Sequence, residues 1–214
     1  MNDQVGDRPT MLAAVLSAYA GREISRHRLL WTLDARLARV VATTTEPMIG
    51  QLRLAWWQEA LSDAAGVMGR GDPLVDALRA AGEAPPAGLT AWLDGWEAII
   101  ADADLENYAT GRGGGLFHSL AGEAKVPAWL QQAGAVWALW DFTGHVKDSE
   151  LGTQALDIAR DMLLIGDRVW PAAWRPMRIA YELARTDIVR GKAAPNRLTP
   201  RLYFRLLRTA LGVR

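Results

Sequence analysis

The chain has no cysteine, no net charge and no long apolar run, and each absence closes off a class of protein. Without cysteine there is neither a disulfide framework nor a thiolate metal site. The 24 basic and 24 acidic side chains cancel, so the basic field of a general nucleic-acid binder is missing. No stretch reaches the roughly 18 consecutive apolar residues of a membrane-spanning helix. The opening Met1-Asn2-Asp3-Gln4-Val5-Gly6-Asp7 has neither a basic start nor an apolar core, so no export signal is read there and a cytoplasmic location is expected. His27, His118 and His145 lie far apart and without H-x-x-x-H spacing, so no zinc site is expected. Gly111-Arg112-Gly113-Gly114-Gly115 lacks the Lys-Ser/Thr and the preceding strand of a phosphate loop. In a helical chain these glycines instead permit close helix approach or mark a break. Four tyrosines and three phenylalanines stand against ten tryptophans, a bias that suits deep helix packing or a wide apolar cavity.

What is present reads as helix. The 214 residues, half of them hydrophobic, suffice for one core but not comfortably for two. Leu30, Leu33, Leu37, Val40 and Val41 share one stripe, as do Leu89, Trp92, Leu93, Trp96, Ile99 and Ile100. Leu151, Ala155, Ile158, Met162, Ile165 and Val169 form another. No alternating run predicts a strand. With proline and glycine as punctuation, the spacing predicts helices over 10–20, 23–43, 47–66, 73–81, 88–102, 104–121, 127–147, 151–169, 176–190 and 200–211. The expected architecture is all-α, a single-domain helical bundle over 1–214.

Charge is unevenly spread. Residues 185–214 hold eight basic side chains and one acidic one, Asp187. Thr199 is a plausible N-cap, Pro200 a first helical residue and Gly212 a stop. Tyr203, Leu206, Leu207, Ala210 and Leu211 form one stripe, and Arg201, Arg205 and Arg208 another. Such a basic amphipathic helix suits peripheral contact with an anionic membrane, or packing on the acidic remainder of the bundle.

The most distinctive stretch is Glu46-Pro47-Met48-Ile49-Gly50-Gln51-Leu52-Arg53-Leu54-Ala55-Trp56-Trp57-Gln58-Glu59-Ala60-Leu61, where Arg53 and Trp57 share a helix face. On pattern alone it reads as a core helix whose arginine stem packs on indole. Its wording resembles the squalene/phytoene synthase family, in which such a helix follows that of the first acidic motif. Residues 30–40 look like that earlier helix. Glu106-Asn107-Tyr108-Ala109-Thr110-Gly111-Arg112-Gly113-Gly114 resembles the family's Tyr-containing helix lining the cavity. The resemblance implies an isoprenoid (terpenoid) synthase fold around an apolar cavity. Active members join two isoprenyl diphosphates, using two Asp-rich motifs that hold Mg²⁺.

The implied equipment is eroded. A leaving diphosphate needs divalent cations, and these need oxygen ligands. Ala38-Arg39-Val40-Val41-Ala42 stands where the family carries its first acidic motif. Asp34, one turn earlier, has no acidic partner at Ala38 and reads with Arg36 as a solvated face. For the second motif one alignment uses residues 134–145, with Asp141 where the family has asparagine, His145 in place of the first key aspartate, and Asp148 and Glu150 beyond; it is favoured for its glycine and Trp-rich helix. The other uses residues 154–161 and keeps Arg160-Asp161 but puts Ile165 and Gly166 where the second aspartate should be; Asp157 and Asp161, four apart, could still share a cation, and with Arg160 they otherwise form an exposed charged face. The pattern is similar to the complex I assembly factor branch of the family, where the acidic motifs are also eroded. It implies a non-catalytic protein that binds an isoprenoid or lipid, or acts as an assembly or scaffold factor with a protein partner. No catalytic residue, metal or cofactor is assigned. Arg53, Trp57, Tyr108, Asp141, Asp157 and Asp161 are the ligand-binding candidates, with Arg112 and Arg53 able to meet an anionic head group. The alternative is an active Mg²⁺-dependent prenyl transferase with an unconventional set such as Asp141, Asp148, Asp157 and Asp161. A third reading is a plain structural bundle that only forms complexes.

Overall fold

Proline and aspartate start most of the helices. In the computed structural model, which describes residues 9–195 and 197–211, every regular element is helical. The opening residues 1–7, Asn196 and Gly212, for which expectations were stated, lie outside the described residues, as does Arg214 of the basic tail. Helix α1 (Met11–Ala18) is capped by the Thr10 hydroxyl, and α2 follows at Ile24–Ala42. Pro47 opens α3 (Pro47–Ser62) from an extended Glu46. Asp72 caps α4 (Pro73–Ala80), and α5 is Leu89–Ala101. Asp104 caps α6 (Leu105–Tyr108), which continues through a π-helical turn, Ala109–Gly113, into α7 (Gly114–Ala121). Then come α8 (Ala128–Thr143), α9 (Ser149–Asp161), α10 (Arg175–Val189) and α11 (Pro200–Leu211). Side-chain caps of this kind satisfy amides that have no partner inside the helix.

Helix α8 is the centre. Every residue from 133 to 140 is buried, as befits a helix covered on all sides, and α7, α9, α10 and the π-helical turn pack on it. The glycines of the Gly-Arg-Gly-Gly-Gly run do permit close approach. A Cβ at Gly113 would lie 2.1 Å from the Gly134 carbonyl oxygen of α8, and one at Gly95 of α5 would lie 2.1 Å from the Arg112 amide nitrogen. The π-helical turn is thus wedged backbone to backbone between α5 and α8, with Arg112 between its two contact points.

Three predicted helices run too long, each for a local reason. Helix α3 stops at Ser62 rather than 66, because the Asp63 carboxylate accepts the amides of Ala65, Val67 and Met68 at 2.7–2.9 Å. Helix α8 stops at Thr143 rather than 147, where the Thr143 hydroxyl turns back to the Trp140 carbonyl and accepts the Ala194 amide. Helix α9 stops at Asp161 rather than 169. The Leu164 amide is taken by the Tyr181 hydroxyl at 3.0 Å, and Gly166 adopts φ +75°. Ile165 and Val169, expected on the α9 stripe, are exposed in the following loop.

The last helix differs from expectation by register. Leu202, Leu206 and Ala210 are its buried residues, while Tyr203 and Leu211 are exposed. The stripe packs against α10, Arg205 pairs with the buried Asp187 at 2.9 Å, and Thr199 accepts the Leu202 amide as the expected cap. Much of the apolar face proposed for a membrane is therefore used inside the bundle. Among the described residues no helix is long and apolar enough to cross a membrane.

Candidate functional site

A hollow of about 530 Å³ lies between α2, α5, the α6–α7 helix and α8. Its walls are mostly apolar: Trp31, Trp96, Trp137, Tyr108 and Phe142, with Ala35, Ala38 and Ala42 along α2. It reaches the surface beside Arg39, Ala42 and His145, which are exposed. The rings meet edge to face, Trp31 on Trp137 at 5.1 Å and Tyr108 on both Trp96 and Phe142 at 5.4 Å. This geometry suits the quadrupoles of aromatic pairs. The indole N–H groups of Trp31, Trp96 and Trp137 are buried without an acceptor.

The polar end of the hollow is built around Arg112. Arg112 is 4 % exposed and Asp34 is 5 % exposed. The guanidinium donates to both oxygens of Asp34, at 3.2 and 2.7 Å, to Asp141 Oδ2 at 2.9 Å, and to the Tyr108 hydroxyl at 2.5 Å. Trp92 Nε1 adds a bond to Asp34 at 3.0 Å. The guanidinium also lies over indole faces, 4.4 Å from the Trp96 ring and 4.8 Å from Trp137, where a cation is attracted to the π-system. Burial pulls the Arg112 pKa down, but Asp34 and its other neighbours more than reverse this, so it stands well above the usual arginine value. Burial, above all, pushes the Tyr108 hydroxyl above the usual phenol range. Neither group gives up its proton near neutrality.

The site corrects two expectations. Asp34 is not on a solvated face: it is buried and bridged through Arg112 to Asp141 on the opposite wall. Arg112 does not present itself to a head group together with Arg53, because it is enclosed and paired with two carboxylates. Local spacing concealed both facts, since the Asp34–Arg112 pair spans 78 residues of chain.

The remaining candidates are scattered. Tyr108 and Asp141 do line the hollow, and His145 stands at its mouth with Nε2 3.9 Å from Asp141 Oδ1. Arg53 and Trp57 lie instead on a separate groove against the outer side of α2. Asp157 and Asp161 are exposed on α9, with Asp157 paired to Arg160 at 2.6 Å. Asp148 caps α9 through the Glu150 and Leu151 amides. The alternative set Asp141, Asp148, Asp157 and Asp161 therefore does not converge. Mg²⁺ would need free oxygen ligands. Both carboxylates of the hollow are engaged by Arg112, and among the described residues no three His, Asp or Glu side chains gather as metal ligands. These residues do not fit a magnesium cluster.

Comparisons with protein-family models, curated proteins and solved structures find no match to the chain. The hollow can enclose an apolar molecule against indoles, with a polar end in which one guanidinium ties two carboxylates.

Proposed function

We propose that the protein is a non-catalytic relative of the squalene/phytoene synthases, with an isoprenoid synthase fold, that binds an isoprenoid or similar lipid in its central hollow. One observation carries the reading: the two carboxylates that face each other across the hollow are tied by Arg112, a fixed internal cation. An arginine held this way cannot leave with a product or recruit a diphosphate in the manner of an exchangeable metal. The aromatic wall supports an extended apolar ligand, since pockets of this kind bury most of a ligand against hydrophobic side chains. The unaccepted indole N–H groups support one that carries an oxygen acceptor.

The test is a tryptophan-fluorescence titration of the full chain with farnesol and geranylgeraniol, with and without Mg²⁺. Saturable binding is expected, independent of metal and weakened at least tenfold by Ala38→Trp, which fills the hollow from α2. Absence of saturable binding overturns the reading. So does release of pyrophosphate from farnesyl diphosphate with Mg²⁺ at an ordinary enzymatic rate, abolished by Asp141→Asn.

A further inference from the structure

A second concavity, about 520 Å³, lies on the outer side of α2, between it and α3. Three arginines line it: Arg36 and Arg39, one turn apart on α2, and Arg53 on α3. Trp56 and Trp57 form an aromatic wall, meeting edge to face at 5.0 Å. Arg39 and Arg53 are exposed, so their forks are open to a solute. Asp72 also lines the groove, but its Oδ1 is committed to capping α4 through the Leu74 and Val75 amides at 2.9 and 3.1 Å. Among the described residues the groove thus holds two exposed guanidinium groups, Arg39 and Arg53, beside this one carboxylate, while Arg36 is already partnered. Arg39 lines the groove and the mouth of the hollow alike.

We infer that this groove is a metal-independent site for a phosphoryl anion, a diphosphate or a phosphate ester, gripped by Arg39 and Arg53. Guanidinium forks match the paired oxygens of a phosphoryl group and keep their charge at all working pH values. Convergent like charge in a concavity raises the local concentration of an anion. The wall of indoles excludes water from one side, which strengthens each contact. Because Arg39 belongs to both sites, a ligand with its tail in the hollow reaches the groove with its head. In that link the inference rests on the reading of the hollow as a lipid site, while the groove itself is testable with an anion that has no tail.

The experiment is calorimetric titration of the full chain with inorganic pyrophosphate in EDTA at low ionic strength. A second arm floats the protein with phosphatidylcholine vesicles, with and without phosphatidic acid. Arg53→Gln and Arg39→Gln are compared with Arg160→Gln on exposed α9, and melting curves establish that each variant is folded. Pyrophosphate is expected to bind without metal, about tenfold more weakly in either groove variant and unchanged in Arg160→Gln. Binding of phosphatidic acid vesicles, lost in the groove variants, would assign the phosphoryl group to a lipid head at a surface; binding of pyrophosphate alone would assign it to a soluble ligand. The inference is overturned if neither probe binds, or if binding is indifferent to Arg39 and Arg53. Farnesol binding, measured separately, distinguishes failure of the groove from failure of the hollow.

Discussion

The hollow and the groove lie on opposite sides of α2 and share Arg39, yet they treat charge in opposite ways. In the hollow, Asp34 and Asp141 both lock onto the buried Arg112. In the groove, Arg39 and Arg53 stand exposed beside Asp72, whose Oδ1 accepts two backbone amides. The difference is one of burial. Inside, an uncompensated charge loses its hydration, so every charge must find a partner. Outside, water hydrates the exposed guanidinium groups, and no internal partner is required of them. His27 shows a third solution. It is buried beside Arg26, and it responds by staying neutral: burial first, then Arg26, pushes its pKa down to about 4.

The largest effect tests the locked end of the hollow. Arg112→Met strands two carboxylates among indoles, and a loss of about 3–5 kcal/mol is expected by urea denaturation. Adding Asp34→Asn and Asp141→Asn to the same chain is expected to recover much of that loss. A triple variant as unstable as Arg112→Met alone would show that charge pairing is not what Arg112 contributes. Next comes the pH response of His27. Its pKa is about 4 in the fold against the ordinary 6.5. Between these values the unfolded chain binds the additional proton, so stability falls as pH drops through this window, by about 3 kcal/mol in full. His27→Leu is expected to flatten that part of the stability curve, and an unchanged slope would locate the response elsewhere. The smallest effect belongs to α9: Asp157→Asn and Asp161→Asn are expected to change stability by less than about 0.5 kcal/mol and to leave farnesol binding as it was. A loss of binding in either would put α9 back in the site.

The helical character was legible because apolar spacing and punctuation agree along most of the chain. Pro47 opens α3 and Pro200 opens α11 as expected, and the glycine run at 111–115 is a close crossing as read. Helix ends were harder. Ile165 and Val169 continue the helical period of α9, but the Tyr181 hydroxyl, from a later helix, holds the Leu164 amide and the chain turns away. Part of the hollow's lining is legible: Tyr108 and Asp141 stand in stretches whose wording resembles the family's, whereas Asp34 reads as solvated because the partner that justifies burying it lies far along the chain. A buried carboxylate announces itself only through its counter-ion, and no local pattern connects Asp34 to Arg112. One clue was present: an arginine set between glycines that pack on neighbouring helices has its backbone fixed and only its side chain free to reach inward.

That glycine seam also decides where the bore of the hollow can be tuned. Gly95, Gly111, Gly113 and Gly134 bring three backbones into contact with no side chain between them to enlarge or trim. The opposite wall is graduated by Ala35, Ala38 and Ala42, which span about 10 Å of α2 from the arginine end to the mouth. A bulkier residue at each of these marks would set a successively shallower floor, so under the proposed reading the length of chain that fits is graded along one helix, in steps of about 5 Å.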